Sequence, residues 1–439
     1  MDPTQSSDPI FPVNGYQKLK AGARDYLDHL RLFSRNARLY LVGSFLMGVN
    51  FQVGLVLLNL YFKEIGFMEG DIGYIASSRA IGMTLIAIPA GFLLSRVRLK
   101  PLLLISCVLF AVFSYFIVSL RTFQLLIGFA VLSGVAFSFY RVAAGPFYMR
   151  HSSPTERTHL FSFSFGTNML AGIIGAAGAG RLATAIGEHT GGLIVGYQYT
   201  LYIGIVVSLL ALIPFAMIKA AAPNKDEVGI KLSRESLRLR GGFYFKVFFC
   251  NFLIGMGAGL IIPFLNLYFR DRFDLPPDTI GLYYALVHLS MLIGSLSGPV
   301  LAKRFGLART VVMTQLASLP FMAVLSYTYL LPLAVVAFVA RGGLMNLGIP
   351  IVTNLSMELA DENERGLVNA LLMVGWTSSW MVSTAVGGRL IEAHGYTVTM
   401  NITIALYVIS TLTFFLFFRK TESRASSGHG WEIDRKATI

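Results

Sequence analysis

The sequence predicts an all-α membrane protein of twelve transmembrane helices, arranged as two parallel six-helix bundles. Three observations predict it: too little charge for a water-soluble fold, a succession of apolar runs near twenty residues, and a repeat that returns halfway along the chain. Hydrophobic residues make up 55% of the 439 positions and charged residues 13%, against about 25% charge in soluble domains. Length alone suggests two or three soluble domains. The apolar runs override that, because stretches of this length span a bilayer as helices. Barrel strands are about 10 residues with alternating polarity, and these runs are not.

Spans are expected at 38–62, 72–95, 101–119, 124–149, 160–186 and 197–219, then at 244–269, 279–302, 308–328, 330–356, 366–391 and 397–418. The expected organisation is a cytoplasmic segment 1–37, an N-terminal bundle 38–219, a cytoplasmic linker 220–243, a C-terminal bundle 244–418 and a cytoplasmic tail 419–439. Of the 36 lysines and arginines, 27 lie in or beside segments on the side of the N-terminus; only Lys63, Arg121, Arg270 and Arg272 lie opposite. That bias predicts two cytoplasmic termini. The net charge of +13 sits in these short loops, so no nucleic-acid partner is expected. Cys107 and Cys250 lie inside apolar runs, against a disulfide framework. The first 37 residues lack the short apolar region and cleavage site of a signal peptide, so the first span is expected to direct insertion. Tyr16 to Leu32 reads either as a surface-lying amphipathic stretch or as a loose tail, and the chain after Arg424 is expected to be disordered.

The repeat is the most informative local signal. Leu58-Asn59-Leu60-Tyr61-Phe62-Lys63 returns as Leu265-Asn266-Leu267-Tyr268-Phe269-Arg270. Ile72-Gly73 returns as Ile280-Gly281, Glu156-Arg157 as Glu364-Arg365, and Gly180-Arg181-Leu182 as Gly388-Arg389-Leu390. The offset stays at 207 to 208 residues. Two homologous halves of six spans each point the same way through the membrane, the parallel arrangement of one class of secondary transporter.

At these residues the sequence resembles the major facilitator superfamily, over roughly residues 38 to 420. The loop after the second span, Gly91 to Lys100 with Arg96 and Arg98, is similar to the family's loop signature, with Ser95 where the family has an aspartate. The matching loop, Gly298 to Gly306 with Lys303 and Arg304, also lacks the acid, so the family's usual charge latch is not implied. Arg141 to Gly145 matches the arginine-then-glycine signature of the fourth span. Gly172, Gly175, Gly178 and Gly180 are similar to the antiporter glycine signature but lack its Gly-Pro; small residues at this spacing also let helices pack closely. The resemblance implies the major facilitator fold, with the third, sixth, ninth and twelfth spans facing lipid.

All 23 acidic residues fall in loops, tails or span edges. The ionisable groups inside spans are Arg79, Arg141, Arg181, His288, Arg341 and Arg389. An arginine within a span costs at least about 2.5–3.5 kcal/mol, so it faces a partner or a wet cavity. Arg79 lies about 12 Å into its span at 1.5 Å per residue, and His288 matches its depth in the equivalent span. With Arg341 they suggest a basic chamber between the halves, suited to the oxygens of an anion. Arg141 is either a ligand or a structural residue, and Arg181 and Arg389 either line the path or snorkel outward. Asn50, Gln52, Tyr140, Tyr283, Tyr284, Asn346, Trp376 and Trp380 are the polar and aromatic candidates around them; the two tryptophans, four apart, share a helical face. Gly91, Arg96, Arg98, Glu156, Arg157, Arg304, Glu364 and Arg365 are expected to act in gating.

The expected function is secondary active transport of a small solute by alternating access, with an organic or inorganic anion as substrate. Two alternatives stand beside it: proton-coupled efflux of amphipathic compounds, and a non-transporting membrane sensor or assembly partner. Histidine titrates near neutrality, so His288 is the candidate for proton coupling in place of a carboxylate. The seven histidines are scattered and no carboxylate lies in a span, so neither an enzyme nor a metal site is expected, and no cofactor. The expected partners are the solute, membrane lipid and a coupling proton or counter-substrate. The expected form is a monomer in the plasma (inner) membrane.

Overall fold

The computed structural model describes residues 33–94, 97–151, 154–219, 234–361, 364–424 and 431–433. The stretch from Tyr16 to Leu32 and Arg96 fall outside them, as do the surroundings of Gly91, Glu156 and Arg157. Helices carry the chain: α1 (Arg35–Glu64), α2 (Glu69–Leu94), α3 (Leu99–Ser119), α4 (Phe123–His151), α5 (Pro154–Thr190), α6 (Leu193–Leu210) and α7 (Leu212–Met217). The second half holds α8 (Arg234–Ile261), α9 (Leu265–Phe273), α10 (Pro277–Phe305), α11 (Leu307–Tyr327), α12 (Leu331–Leu359) and α13 (Arg365–Phe418).

Ten helices among the described residues are long and apolar enough to cross a membrane. The difference from twelve has two sources. The helix α2, which carries Glu69, Asp71 and Arg79, is not among the ten. Helix α13 runs 54 residues, about 80 Å at 1.5 Å each, more than twice a hydrocarbon core. Gly395 (φ 76°, ψ 177°) breaks it where the eleventh and twelfth spans are expected to part. Counting α13 as two, including α2, and taking α6 with α7 and α8 with α9 as one span each, the described residues hold twelve spans.

Proline and glycine set the other breaks. Pro214 lacks the N–H that would bond Leu210, and α6 stops at Leu210 while α7 begins at Leu212. Pro263 interrupts the seventh span as the 3₁₀ turn Ile262–Phe264 between α8 and α9. Ser34 caps α1, its hydroxyl accepting from the Ala37 N–H at 3.2 Å. The tail departs from the expected disorder: β1 (Glu422–Arg424) pairs antiparallel with β2 (Trp431–Ile433).

Three apolar cores describe how the halves meet. One cluster runs unbroken from Val53, Leu60 and Tyr61 through Ala179 and Tyr197 to Phe264, Tyr268, Ile280 and Met400, residues of both halves. It occupies the end of the molecule where α1 finishes, here called distal. At the opposite, proximal end there are two cores. One holds Tyr40, Leu103, Phe137, Phe147 and Phe215 of the first half, the other Phe243, Val311, Leu355, Val368 and Phe414 of the second. The halves are fused distally and keep separate cores proximally.

The repeated residues make the fusion. A side chain on Gly73 of α2 would strike the Thr384 carbonyl and the Gly388 backbone of α13, and one on Gly281 of α10 would strike the Ala176 carbonyl and the Gly180 backbone of α5. Each contact is the other's image at an offset of 208. Backbones this close admit only glycine.

Candidate functional site

Polar contacts cross the apolar seam between the halves at several levels toward the distal end. At its deepest recorded point Gln52 Oε1 of α1 lies 3.1 Å from His288 Nε2 of α10. The His288 ring packs against Gly172 of α5, and Gln52 against Gly175. Of the glycine stripe of α5, Gly172, Gly175 and Gly180 thus meet close neighbours and Gly178 does not. Nearer the end, the Ser77 hydroxyl donates to the Met381 carbonyl. The repeated asparagines then reach across reciprocally: Asn59 Nδ2 donates to the Pro263 carbonyl at 2.6 Å, and Asn266 Nδ2 to that of Val56 at 2.8 Å. Arg270 bridges Glu64 at 2.7 Å, and the Gly70 N–H donates to Glu392 at 3.1 Å. Lys63 holds Glu69 at 2.5 Å, and the Tyr396 hydroxyl donates to Asp271 at 2.6 Å. Arg389 stacks over Tyr74 of the other half at 5.2 Å.

This distal cluster is the constellation that sequence reasoning missed. Lys63, Glu64, Glu69, Arg270, Asp271 and Glu392 are loop charges by sequence, and a solvated face is the usual fate of such charges. The available signal was the like charge ending the repeat, Lys63 and Arg270, at equivalent ends of α1 and α9.

The two deepest arginines sit elsewhere than expected. Arg79 projects into the N-terminal bundle and not into a chamber between the halves. Its guanidinium lies 5.4 Å from the Phe51 ring of α1, 5.5 Å from Phe110 of α3 and 5.7 Å from Phe137 of α4. Helical phase explains this. Ser77 occupies the seam, and two residues on is about 200° round the helix. A cavity of about 30 Å³ adjoins Arg79, lined also by Asn50, Phe51, Phe110, Ser114 and Ser133. Arg341 is buried in the C-terminal bundle, donating to the Tyr407 hydroxyl of α13 at 3.2 Å and lying over its ring at 5.9 Å. Its helix turns Gly342 and Gly343 toward Val287 and Ser290 of α10.

The remaining candidates divide. Asn50 donates to Ser208 of α6 at 3.0 Å, within its own half. Tyr140 is buried beside Phe137 and Phe215. Tyr284 packs edge-on to Phe338, and Asn346 donates to Gly342 one turn back. Arg141 is exposed on α4. Trp376 and Trp380 pair at 5.7 Å; the backbone around them packs against Gly255 and Gly259 of α8. Of the gating candidates, Arg98, Arg304 and Arg365 are exposed. Glu364 is committed within its own half, accepting from Arg240 at 2.6 Å, with Asp361 on the same nitrogen at 2.7 Å. Its burial demands a cation, and α8 supplies one. Among the described residues no three histidine, cysteine or acidic side chains gather as a metal site.

The comparisons follow the same lines. The Major Facilitator Superfamily model matches residues 40–244 and 247–435. No curated protein sequence matches the chain. Solved structures are similar in fold. A bacterial homolog of the human lysosomal transporter Spinster, in an inward-facing and occupied conformation, superposes with TM-score 0.72 at 13% identity, over 87% of this chain and 95% of its own. The nucleoside transporter NupG (D323A mutant) gives 0.71 at 14% identity, over 87% and 99%. A D-xylose–proton symporter gives 0.69 at 15%, over 87% and 97%. Two of these name chemically different solutes, a nucleoside and D-xylose, so the shared fold leaves the substrate class open. The chain belongs to the Major Facilitator Superfamily, as a multi-pass membrane transporter of small solutes and not an enzyme.

Proposed function

We propose that the chain carries a small organic or inorganic anion by alternating access, in the inner membrane with both termini cytoplasmic. Residues 38–219 and 244–418 are the moving bundles, joined by the linker 220–243. On that orientation the distal end is the outer gate, closed here, and the solute path opens toward the cytoplasm between the two proximal cores.

One observation carries the anion reading. Arg79, Arg141 and Arg341 lie within helices, and among the described residues none of them has a carboxylate at ion-pair distance. Ion pairs among the described residues sit toward helix ends: Lys63–Glu69 and Arg270–Glu64 distally, Arg240 with Asp361 and Glu364 proximally. Uncompensated positive charge in a low-dielectric region raises the local concentration of anions and disfavours cations. Arg341, Arg141 and His288 are the residues proposed to feel the substrate.

Counterflow in proteoliposomes against a panel of anions, cations and neutral solutes tests this. Anions are expected to be taken up, with loss in Arg141→Ala and Arg341→Gln. Uptake confined to neutral or cationic solutes, indifferent to both changes, would defeat the anion reading and leave the transporter fold standing.

A further inference from the structure

The cavity beside Arg79 has its own chemistry, apart from the seam. Two of its polar atoms are stranded: Arg79 Nε and Ser133 Oγ are buried and have no hydrogen-bond partner. Ser133 is 1% exposed. Leaving a buried donor unmade costs about 1–3 kcal/mol, more for a charged group. Arg79 also has no carboxylate at ion-pair distance among the described residues. Three phenylalanine rings surround its guanidinium, and cation–π contact lowers the cost of the charge without supplying hydrogen-bond acceptors. Ser133 on α4 and Arg79 on α2 face one space from two helices, because Gly82 and Gly134 let those helices cross with backbones in contact.

We propose that the N-terminal bundle binds one halide-class inorganic anion, chloride in ordinary salt, in the cavity lined by Arg79 and Ser133. An anion there accepts from both stranded groups and neutralises the guanidinium; a water accepts but leaves the charge. The cavity, of about 30 Å³, has room for a dehydrated halide. The lining selects further. Beside the polar Asn50 and Ser114 the lining is mainly apolar, Phe51, Leu58, Phe110 and Leu201 among it, which favours a weakly hydrated ion over a strongly hydrated one. Both groups belong to one bundle, so the ion is a resident of that bundle and need not be cargo. With Arg79 so compensated, Arg141 and Arg341 are the cations left for substrate. The site does not depend on the transported solute being an anion.

The test is thermal unfolding of the purified full-length chain in nanodiscs, in potassium chloride, bromide, phosphate or gluconate at constant ionic strength. Tm is expected to rise with chloride and bromide in a saturable way, and not with phosphate or gluconate. Ser133→Ala is expected to raise the half-saturating chloride concentration about tenfold, the effect of one lost hydrogen bond to a charged group. Arg79→Gln is expected to abolish the halide shift. Equal Tm in chloride and gluconate, or a halide shift unchanged by both substitutions, overturns the proposal in favour of water. If Arg79→Gln does not fold, Ser133→Ala still decides. Bromide-soaked crystals add a direct readout: an anomalous peak beside Arg79 is expected, and its absence at saturating bromide counts against the site. A transporter that moves only neutral solutes yet keeps the halide shift would sink the substrate reading alone.

Discussion

Arg240 shows how unequal two similar contacts are. One of its nitrogens meets Asp361 at 2.7 Å and Glu364 at 2.6 Å, the other donates to the Leu359 carbonyl at 2.6 Å, and the guanidinium lies 5.0 Å over Phe243. The Asp361 side chain is 62% exposed, that of Glu364 11%. An exposed ion pair contributes about 0–1 kcal/mol. Removing one partner of a buried pair costs about 3–5 kcal/mol, because the other charge is left uncompensated. Glu364→Ala is therefore expected to lower thermal stability strongly and Asp361→Ala hardly at all, by unfolding of the purified protein. Equal effects would mean that Arg240 is held by its carbonyl and ring contacts instead. Sequence alone could not rank the two: both are acids in one short loop, and Glu364 is legible only as half of a repeat.

At the scale of the helix, the crossing glycines carry the function of the fold. Gly180 faces the Pro277 carbonyl, and Gly388 faces that of Glu69, the same contact in each half. Gly178, two residues earlier on α5, has open space where a Cβ would go. Gly180→Leu is expected to hold α5 off α10, prevent distal closure and abolish transport. Gly178→Ala is expected to transport normally, and its helix gains up to about 1 kcal/mol of propensity. Loss of transport in both would point to a general sensitivity of α5 instead of the crossing. These elements were legible in the sequence for a physical reason. Apolar length marks a span, and a contact made twice by pseudo-symmetry leaves its residues twice in the chain, as Gly73 with Gly281 and Asn59 with Asn266. The direction of Arg79 was not legible. Which side of α2 meets the seam depends on helix rotation, and apolar residues surround all of that helix, so no amphipathic stripe betrays it. The distal ion pairs were hidden because loop charges look the same whether solvated or locked across a gate.

For the whole molecule, the continuous distal core and the divided proximal cores make transport a question of what opens the distal end. The apolar contacts there resist opening in every state. The Glu64–Arg270 bridge is a small adjustable addition, with side chains 26% and 27% exposed. A pair of this exposure contributes about 0–1 kcal/mol, which shifts a two-state ratio up to about fivefold. On the proposed alternating-access cycle, a rocking equilibrium responds to a term of that size, although folding stability would not. Spin labels at the exposed distal positions Thr122 and Leu330 read the separation of the halves. Glu64→Gln or Arg270→Gln is expected to raise the population with the longer distance up to fivefold, with little change in Tm. The exchange Glu64→Arg with Arg270→Glu is expected to restore the closed population, since it rebuilds the bridge with its poles reversed. Widening that persists in the exchanged pair would show that Arg270 closes the gate through other partners, with Asp271 and Tyr396 the next to change.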